Sequence, residues 1–377
     1  MTTPIGGHCD PSFAAVRESF ADNFADRGEV GAAVCVIIDG RVVVDLAGGW
    51  TDEAEQRPWQ LDTLVDFYSV GKAFVALLAL QLVDSGLIGL DDPISAVWPE
   101  FGVAGKEAAT LRHALCHRAG VPAIREHLTN DDLWNWERMT GALAATEAWW
   151  EPGTRHAYHT NTYGHLMGEI VRRCTGEMPG DRLRALAASL DADVWCGVPA
   201  SEQHRCADVL WAPAHEIGIA AFEKLSGDQL MVALGYFNPP GYSSKDVVNT
   251  SAWRGAQVPS TNGHGSASGV ARIYSALLDQ GRLLSPNLLA EATRAQSVGY
   301  CPVLGEETTF GLGFKPTVPH RPFGPNPRSF GHFGTGGAVG FADPDAGVAF
   351  GYVMNQVIPR WQSTRNGALI EAVFGSL

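Results

Sequence analysis

Lysine is scarce in this chain of 377 residues: Lys72, Lys106, Lys224, Lys245 and Lys315 are all there are. Acidic residues outnumber basic ones, 41 against 27, and the formal net charge is −14. Such a surface repels nucleic acid and anionic membranes, so neither is expected as a partner. Long apolar runs are missing. The longest, after Lys72, is about half the ~20 residues needed to span a bilayer. Met1 to His8 carry neither a basic nor an apolar leader segment. Cysteine is limited to Cys9, Cys35, Cys116, Cys174, Cys196, Cys206 and Cys301, an odd number with no Cys-x-x-Cys pair. A disulfide framework or structural zinc is therefore not expected, and buried free thiols in a reducing cytoplasm are the simplest account. Cys116 and His117 are adjacent, but neighbours on a regular element point different ways, so a dyad there is weak.

Two catalytic signatures are also absent. No His-Glu-x-x-His spacing and no phosphate-cradling glycine loop before a lysine occurs, so no metal or nucleotide cofactor is indicated. The nucleophile elbow Gly-x-Ser-x-Gly is missing; Gly263 to Gly269 misses its spacing and reads as a loop at a helix start, with His264 a structural histidine.

What is present is ordinary globular composition, 45% hydrophobic and 18% charged, in a chain long enough for one large domain or two moderate ones. The densest signal is Phe67-Tyr68-Ser69-Val70-Gly71-Lys72. A helix starting near Ser69 puts Ser69 and Lys72 on one face, one turn apart. A serine needs a base to become a nucleophile, and a half-buried lysine with a lowered pKa can be that base. The helix start adds backbone N–H groups for a developing oxyanion. The run Ala73 to Val83 is apolar nearly all round, which predicts a buried helix.

Around it, Phe13, Val16, Phe20 and Phe24 form a helical stripe. Gly31–Ile38 and Arg41–Gly49 read as strands joined by an Asp39-Gly40 hairpin turn. Helical patterns dominate from Gly86 to Val258, including Asp131 to Trp150 and Leu166 to Cys174. Strand candidates return at Phe310–Phe314, Phe330–Gly334 and Gly347–Met354, before a closing helix at Gly367–Phe374. The expected fold is α+β: one antiparallel sheet built from both termini (residues 1–85 and 259–377), flanked by helices, with an inserted helical domain over 86–258.

Two further spots carry chemistry. Tyr158 lies on a loop before a helix; near an ammonium its phenolate is favoured and it shuttles protons, or it is a half-buried packing tyrosine. His332-Phe333-Gly334-Thr335-Gly336-Gly337 is a glycine-spaced strand end. It either lets a substrate carbonyl approach, with the Thr335 and Ser69 amides as oxyanion hole, or is a bulged edge strand. Trp134, Trp136, Trp149 and Trp150 either wall an acyl or alcohol pocket or pack in a core.

Taken in order, Ser69-x-x-Lys72, Tyr158-His159-Thr160 and His332-x-Gly334 resemble the motifs of the serine β-lactamase-like superfamily. Leu111 to Val121 and Pro152-Gly153-Thr154 resemble its flanking segments. The subgroup most similar is the family VIII carboxylesterases, related to class C β-lactamases and D-alanyl-D-alanine carboxypeptidases. The resemblance implies an α/β domain plus a helical domain with the active site between them. Ser69 would be acylated, and Lys72 with Tyr158 would move its proton. It implies a small ester as substrate and no cofactor. A β-lactamase, D-alanyl peptidase, acyl transferase or catalytically silent penicillin-binding scaffold are the alternatives. Two departures favour an ester. No lysine stands in the third motif, and Thr160 stands where the second usually has asparagine. A Trp-Gly-Gly form of the third motif would instead align with Thr335-Gly336-Gly337.

Overall fold

The computed structural model describes residues 3–54, 56–211, 222, 224–358 and 363–377. Its main sheet starts with strands β1 (Ile5–Cys9), β2 (Gly31–Ile38) and β3 (Arg41–Gly49). Asp39 and Gly40 both take positive φ, 47° and 79°, the requirement of the tight hairpin turn between β2 and β3. Short strands β4 (Val65–Asp66), β5 (Val194–Cys196) and β6 (Gly263–Gly265) form a second sheet, and β7 (Ser297–Cys301) with β8 (Glu306–Phe310) a separate hairpin. Strands β9 (Lys315–Pro316), β10 (Phe330–Phe333), β11 (Val339–Asp343) and β12 (Val348–Met354) return to the main sheet.

The order is β1-β3-β2-β12-β11-β10-β9, antiparallel throughout. The two ends of the chain therefore meet at its centre, where Val34 lies opposite Tyr352. Strands β2 and β12 are buried on both faces, which is why their apolar residues run without alternation. The helix Ala267–Leu278 packs on this centre, and Gly351 lets it approach: a Cβ there would meet the Ala267 carbonyl at 2.3 Å. Helices Ala14–Asp26 and Thr364–Phe374 pack together. Arg365 ties the two ends. It donates to the Glu29 carboxylate at 3.1 Å and to the Arg27 carbonyl at 2.9 Å.

The helix Gly71–Asp84 is buried along nearly its whole length and packs against Thr162–Thr175. Two expectations shift. The segment 131–150 is a short turn, Asn130–Trp134, then a helix over Trp136–Ala145. The helix stops because Thr146 is extended and its hydroxyl accepts the Arg125 N–H. Strand β8 ends at Phe310, and the Gly311 N–H closes a turn onto the Phe314 carbonyl before β9.

Candidate active site

Strand β4 delivers the chain into a tight turn, Tyr68–Val70, that runs directly into the helix Gly71–Asp84. Tyr68 has φ of 49°, left-handed for a bulky residue, a conformation that costs on the order of 1–3 kcal/mol. Buried Asp66 holds it there, accepting the Tyr68 N–H at 2.8 Å and the Trp253 indole N–H at 3.0 Å. The Tyr68 hydroxyl in turn accepts from Trp211 at 3.1 Å. Gly71 has no room for a side chain: a Cβ would lie 2.6 Å from the Pro259 carbonyl oxygen. The turn thus presents Ser69 one helical turn below Lys72.

Lys72 is 1% exposed and Ser69 6%. The Lys72 Nζ has three partners: the Thr160 carbonyl at 2.6 Å, the Ser260 carbonyl at 3.0 Å and Ser69 Oγ at 3.2 Å. An ammonium donates to all three. A neutral amine has two hydrogens, which the two carbonyls take, and its lone pair is left for the Ser69 hydroxyl. Burial, then the charge of Lys315, holds the Lys72 pKa well below its usual value, which eases loss of its proton.

Tyr158 is fully buried. Its N–H donates to Cys301 Sγ at 3.2 Å, its ring stacks on Phe310 with centroids 5.9 Å apart, and Lys72 Nζ lies 4.8 Å from its ring centroid. The Ser69 side chain acts on the phenol in the direction that lowers its pKa. The expected phenolate is not favoured. Burial raises the Tyr158 pKa above its usual value and outweighs the effect of Ser69, so the group is a neutral phenol. Around it His117, His159 and His332 are all buried. The His159 N–H donates to His117 Nδ1, Val121 N–H donates to His159 Nε2, and His159 Nδ1 gives its hydrogen to the Ala157 carbonyl. Burial pushes His159 down to about 4, so this ring is a neutral strut.

The third stretch arrives from the main sheet. His332, Phe333 and Gly334 lie at the end of β10, and Thr335 opens the short turn Thr335–Gly337. His332 stacks on Tyr158 at 6.4 Å and donates Nδ1–H to the Phe333 carbonyl at 2.7 Å. Phe333 stacks on Phe323, away from Tyr158. A Cβ on Gly334 would lie 2.2 Å from the Phe67 carbonyl, so this backbone presses on the turn that carries Ser69. The structure thus gathers Ser69, Lys72, Tyr158 and His332, with Gly334 against the turn that carries Ser69 and Thr335 next along the chain.

One residue escapes the sequence reading. The third motif has no lysine of its own, but Lys315 on β9 pairs with Gly331 and brings its Nζ to 5.6 Å from the Tyr158 ring centroid. The lack of a lysine near this motif therefore holds along the chain and not in space. Its distance of 17 positions from His332 hid it; the short edge strand is what brings it back.

Of the four tryptophans, Trp149 and Trp150 pack with Met231, Val303 and Phe310 in the apolar cluster around Tyr158. Trp134 packs on Trp253, and the Trp136 indole donates to Glu169. His264 is buried in β6 with Nδ1 on the Asn262 carbonyl. Among the described residues no group of three or more His, Cys, Asp or Glu is arranged to hold a metal, and no helix is long and apolar enough to cross a membrane.

The chain is similar to known proteins along nearly its whole length. The beta-lactamase family model matches residues 16–373. The chain is 33% identical to the esterase/beta-lactamase LipL of Mycobacterium tuberculosis, over 94% of this chain and 83% of that protein. It is similar to a crystal structure of a family VIII carboxylesterase, with 36% identity and a TM-score of 0.90, covering 99% of this chain and 100% of the other. A penicillin-binding protein homologue from Caulobacter crescentus is similar at 38% identity and a TM-score of 0.90, covering 99% and 100%.

Proposed function

The chain belongs to the beta-lactamase family, and from that premise we propose that it is a serine carboxylesterase acting on small esters through an acyl-enzyme on Ser69. The observation that carries the reading is the partner set of Lys72: two carbonyls and the Ser69 hydroxyl. In the first step Ser69 Oγ bonds to the ester carbonyl carbon as its proton passes to the Lys72 amine. The Ser69 and Thr335 amides face the oxygen that becomes negative. The Tyr158 phenol gives its proton to the leaving alkoxide and recovers one from the Lys72 ammonium, so the pair ends as it began. Water then attacks the acyl-enzyme by the same exchange, releasing the acid and restoring Ser69.

His332 and Gly334 serve as the wall opposite the nucleophile, with Phe333 contributing backbone only since its ring stacks on Phe323, and Trp149 and Trp150 border the side where an apolar acyl or alcohol group fits. The chemistry calls on no cofactor. Seven free thiols support a cytoplasmic site of action.

Replacing Ser69 by alanine is the direct test. Turnover of a short-chain p-nitrophenyl ester should vanish with the fold intact, and a fluorophosphonate probe should label Ser69 in wild type alone. Persisting activity in the Ser69→Ala protein moves the nucleophile elsewhere. β-Lactam hydrolysis is the second reading. It is favoured by the double designation of the Mycobacterium tuberculosis relative, and parallel assays with nitrocefin and simple esters separate the two.

A further inference from the structure

Two amines lie against the Tyr158 ring. Lys72 Nζ is 4.8 Å from its centroid and Lys315 Nζ 5.6 Å. The two nitrogens are thus within roughly 10 Å of each other, about one Debye length in 0.1 M salt, and buried where salt screens little. Lys315 is 7% exposed, on the edge strand β9, with its nitrogen 4.9 Å from the Phe310 ring. The reaction proposed above uses Lys72 and leaves Lys315 with no step of its own.

We infer that Lys315 is a positioning residue for that reaction, on whose assignment this inference rests: its positive charge beside Tyr158 keeps Lys72 as the free amine that takes the Ser69 proton. Where two buried amines share one site, the second proton is costly, and the pair titrates as a unit. If the first proton rides on Lys315, Lys72 is left as the base. Against burial, the largest effect, and Arg321, the Glu306 carboxylate supports a charge on Lys315, which favours that division. The two carbonyls and the hydroxyl around Lys72 would accept from an ammonium as well, so the division rests on the charges and not on those contacts.

The other titratable groups facing the pair do not take over this role. Tyr158, on the loop before Thr162–Thr175, stays a phenol. His117 after the helix Leu111–Leu115, His159 beside Tyr158 and His332 on β10 are each pushed down chiefly by burial, with Lys315 adding to this at His332, so they stay neutral. Cys301 on β7 is raised by burial and stays a thiol. Lys315 is held down to about 7, chiefly by burial, so its charge changes within the working range.

The test is kcat/KM against pH for wild type, Lys315→Met and Lys315→Arg. A unit charge about 10 Å away at an effective permittivity of about 20 moves a pKa by roughly one unit. Lys315→Met should therefore shift the acidic limb upward by about one pH unit, which reads as an approximately tenfold loss below it. The plateau above the limb should stay within about threefold of wild type. Lys315→Arg keeps the charge and should keep the limb at or below the wild-type pH. A lowered plateau with an unmoved limb in Lys315→Met makes the residue structural and overturns the inference. If Lys315→Met does not fold, Lys315→Arg decides, and a limb moved to higher pH overturns it. Ser69→Ala separates the two readings: activity surviving there defeats the reaction assignment, whereas an inactive Ser69→Ala with an unmoved Lys315→Met limb defeats the role of Lys315 alone.

Discussion

In the proposed reaction Lys72 acts only when it is unprotonated, and both burial and Lys315 lower its pKa in the folded protein. The sign follows: kcat/KM climbs as pH rises through that lowered value and is flat above it. Lys72→Ala should lose on the order of 10²–10⁴ in kcat/KM, the usual worth of a placed proton-transfer group. Tyr158→Phe should lose a similar factor yet retain the acidic limb, because it removes the donor and leaves the base; a pH–rate series on both variants checks this. Residues of this kind were legible in the sequence to different degrees. Ser69 and Lys72 sit three apart, so helical geometry alone pairs them. Tyr158 and His332 were visible through motif order. The neutral state of Tyr158 was not visible, because it is set by burial contributed from β8, β10 and the 117 loop.

At the scale of the element, the turn before Gly71–Asp84 is where strain and packing meet. Gly71→Ala pits helix propensity, worth up to about 1 kcal/mol in favour of alanine, against contact with the Pro259 carbonyl. The clash wins: backbone cannot rotate away, and overpacking costs typically about 1–3 kcal/mol. The neighbouring Ser260 carbonyl accepts from Lys72, so the variant should lose activity along with stability, read by thermal melting beside the esterase assay. Asp66→Ala removes the acceptor of the Tyr68 N–H and should cost about 1–3 kcal/mol in denaturant unfolding, with slower labelling of Ser69. The buried helix and the β2–β3 hairpin were readable from unbroken apolar runs and Asp39-Gly40. The two-residue strands β4 and β9 were not, since two residues carry no periodicity; pairing with β6 and β10 defines them.

At the scale of the whole molecule, the ends of the chain are clamped by a buried charge network. Glu29 bonds Arg365 at 3.1 Å and the Tyr352 hydroxyl, and burial, opposed by Arg365, raises its pKa to about 7. A carboxyl whose folded pKa exceeds its unfolded one binds its proton more tightly when folded. Its contribution is complete below about 4.5 and fades as pH rises through about 7. Unfolding midpoints in urea should thus be higher at the acidic end of that window, and Glu29→Gln should flatten the dependence. Arg365→Ala should destabilise by about 3–5 kcal/mol by stranding Glu29. That both termini build one sheet was legible from the placing of strand signals at either end. The pairing of β2 with β12 was not, because partners more than 300 positions apart leave no local trace.

The helix Gly71–Asp84, buried along nearly its whole length, has a practical corollary for handling the protein. In the proposed reaction the amine sits on this helix and the serine on the turn just before it, so both should open last, since segments with the most buried contacts exchange only on global unfolding. Warming or urea therefore has no mild way to disarm the catalyst while sparing the rest. Residual turnover becomes a gauge of the folded fraction, and a curve of remaining esterase signal should overlay the melting curve instead of running ahead of it.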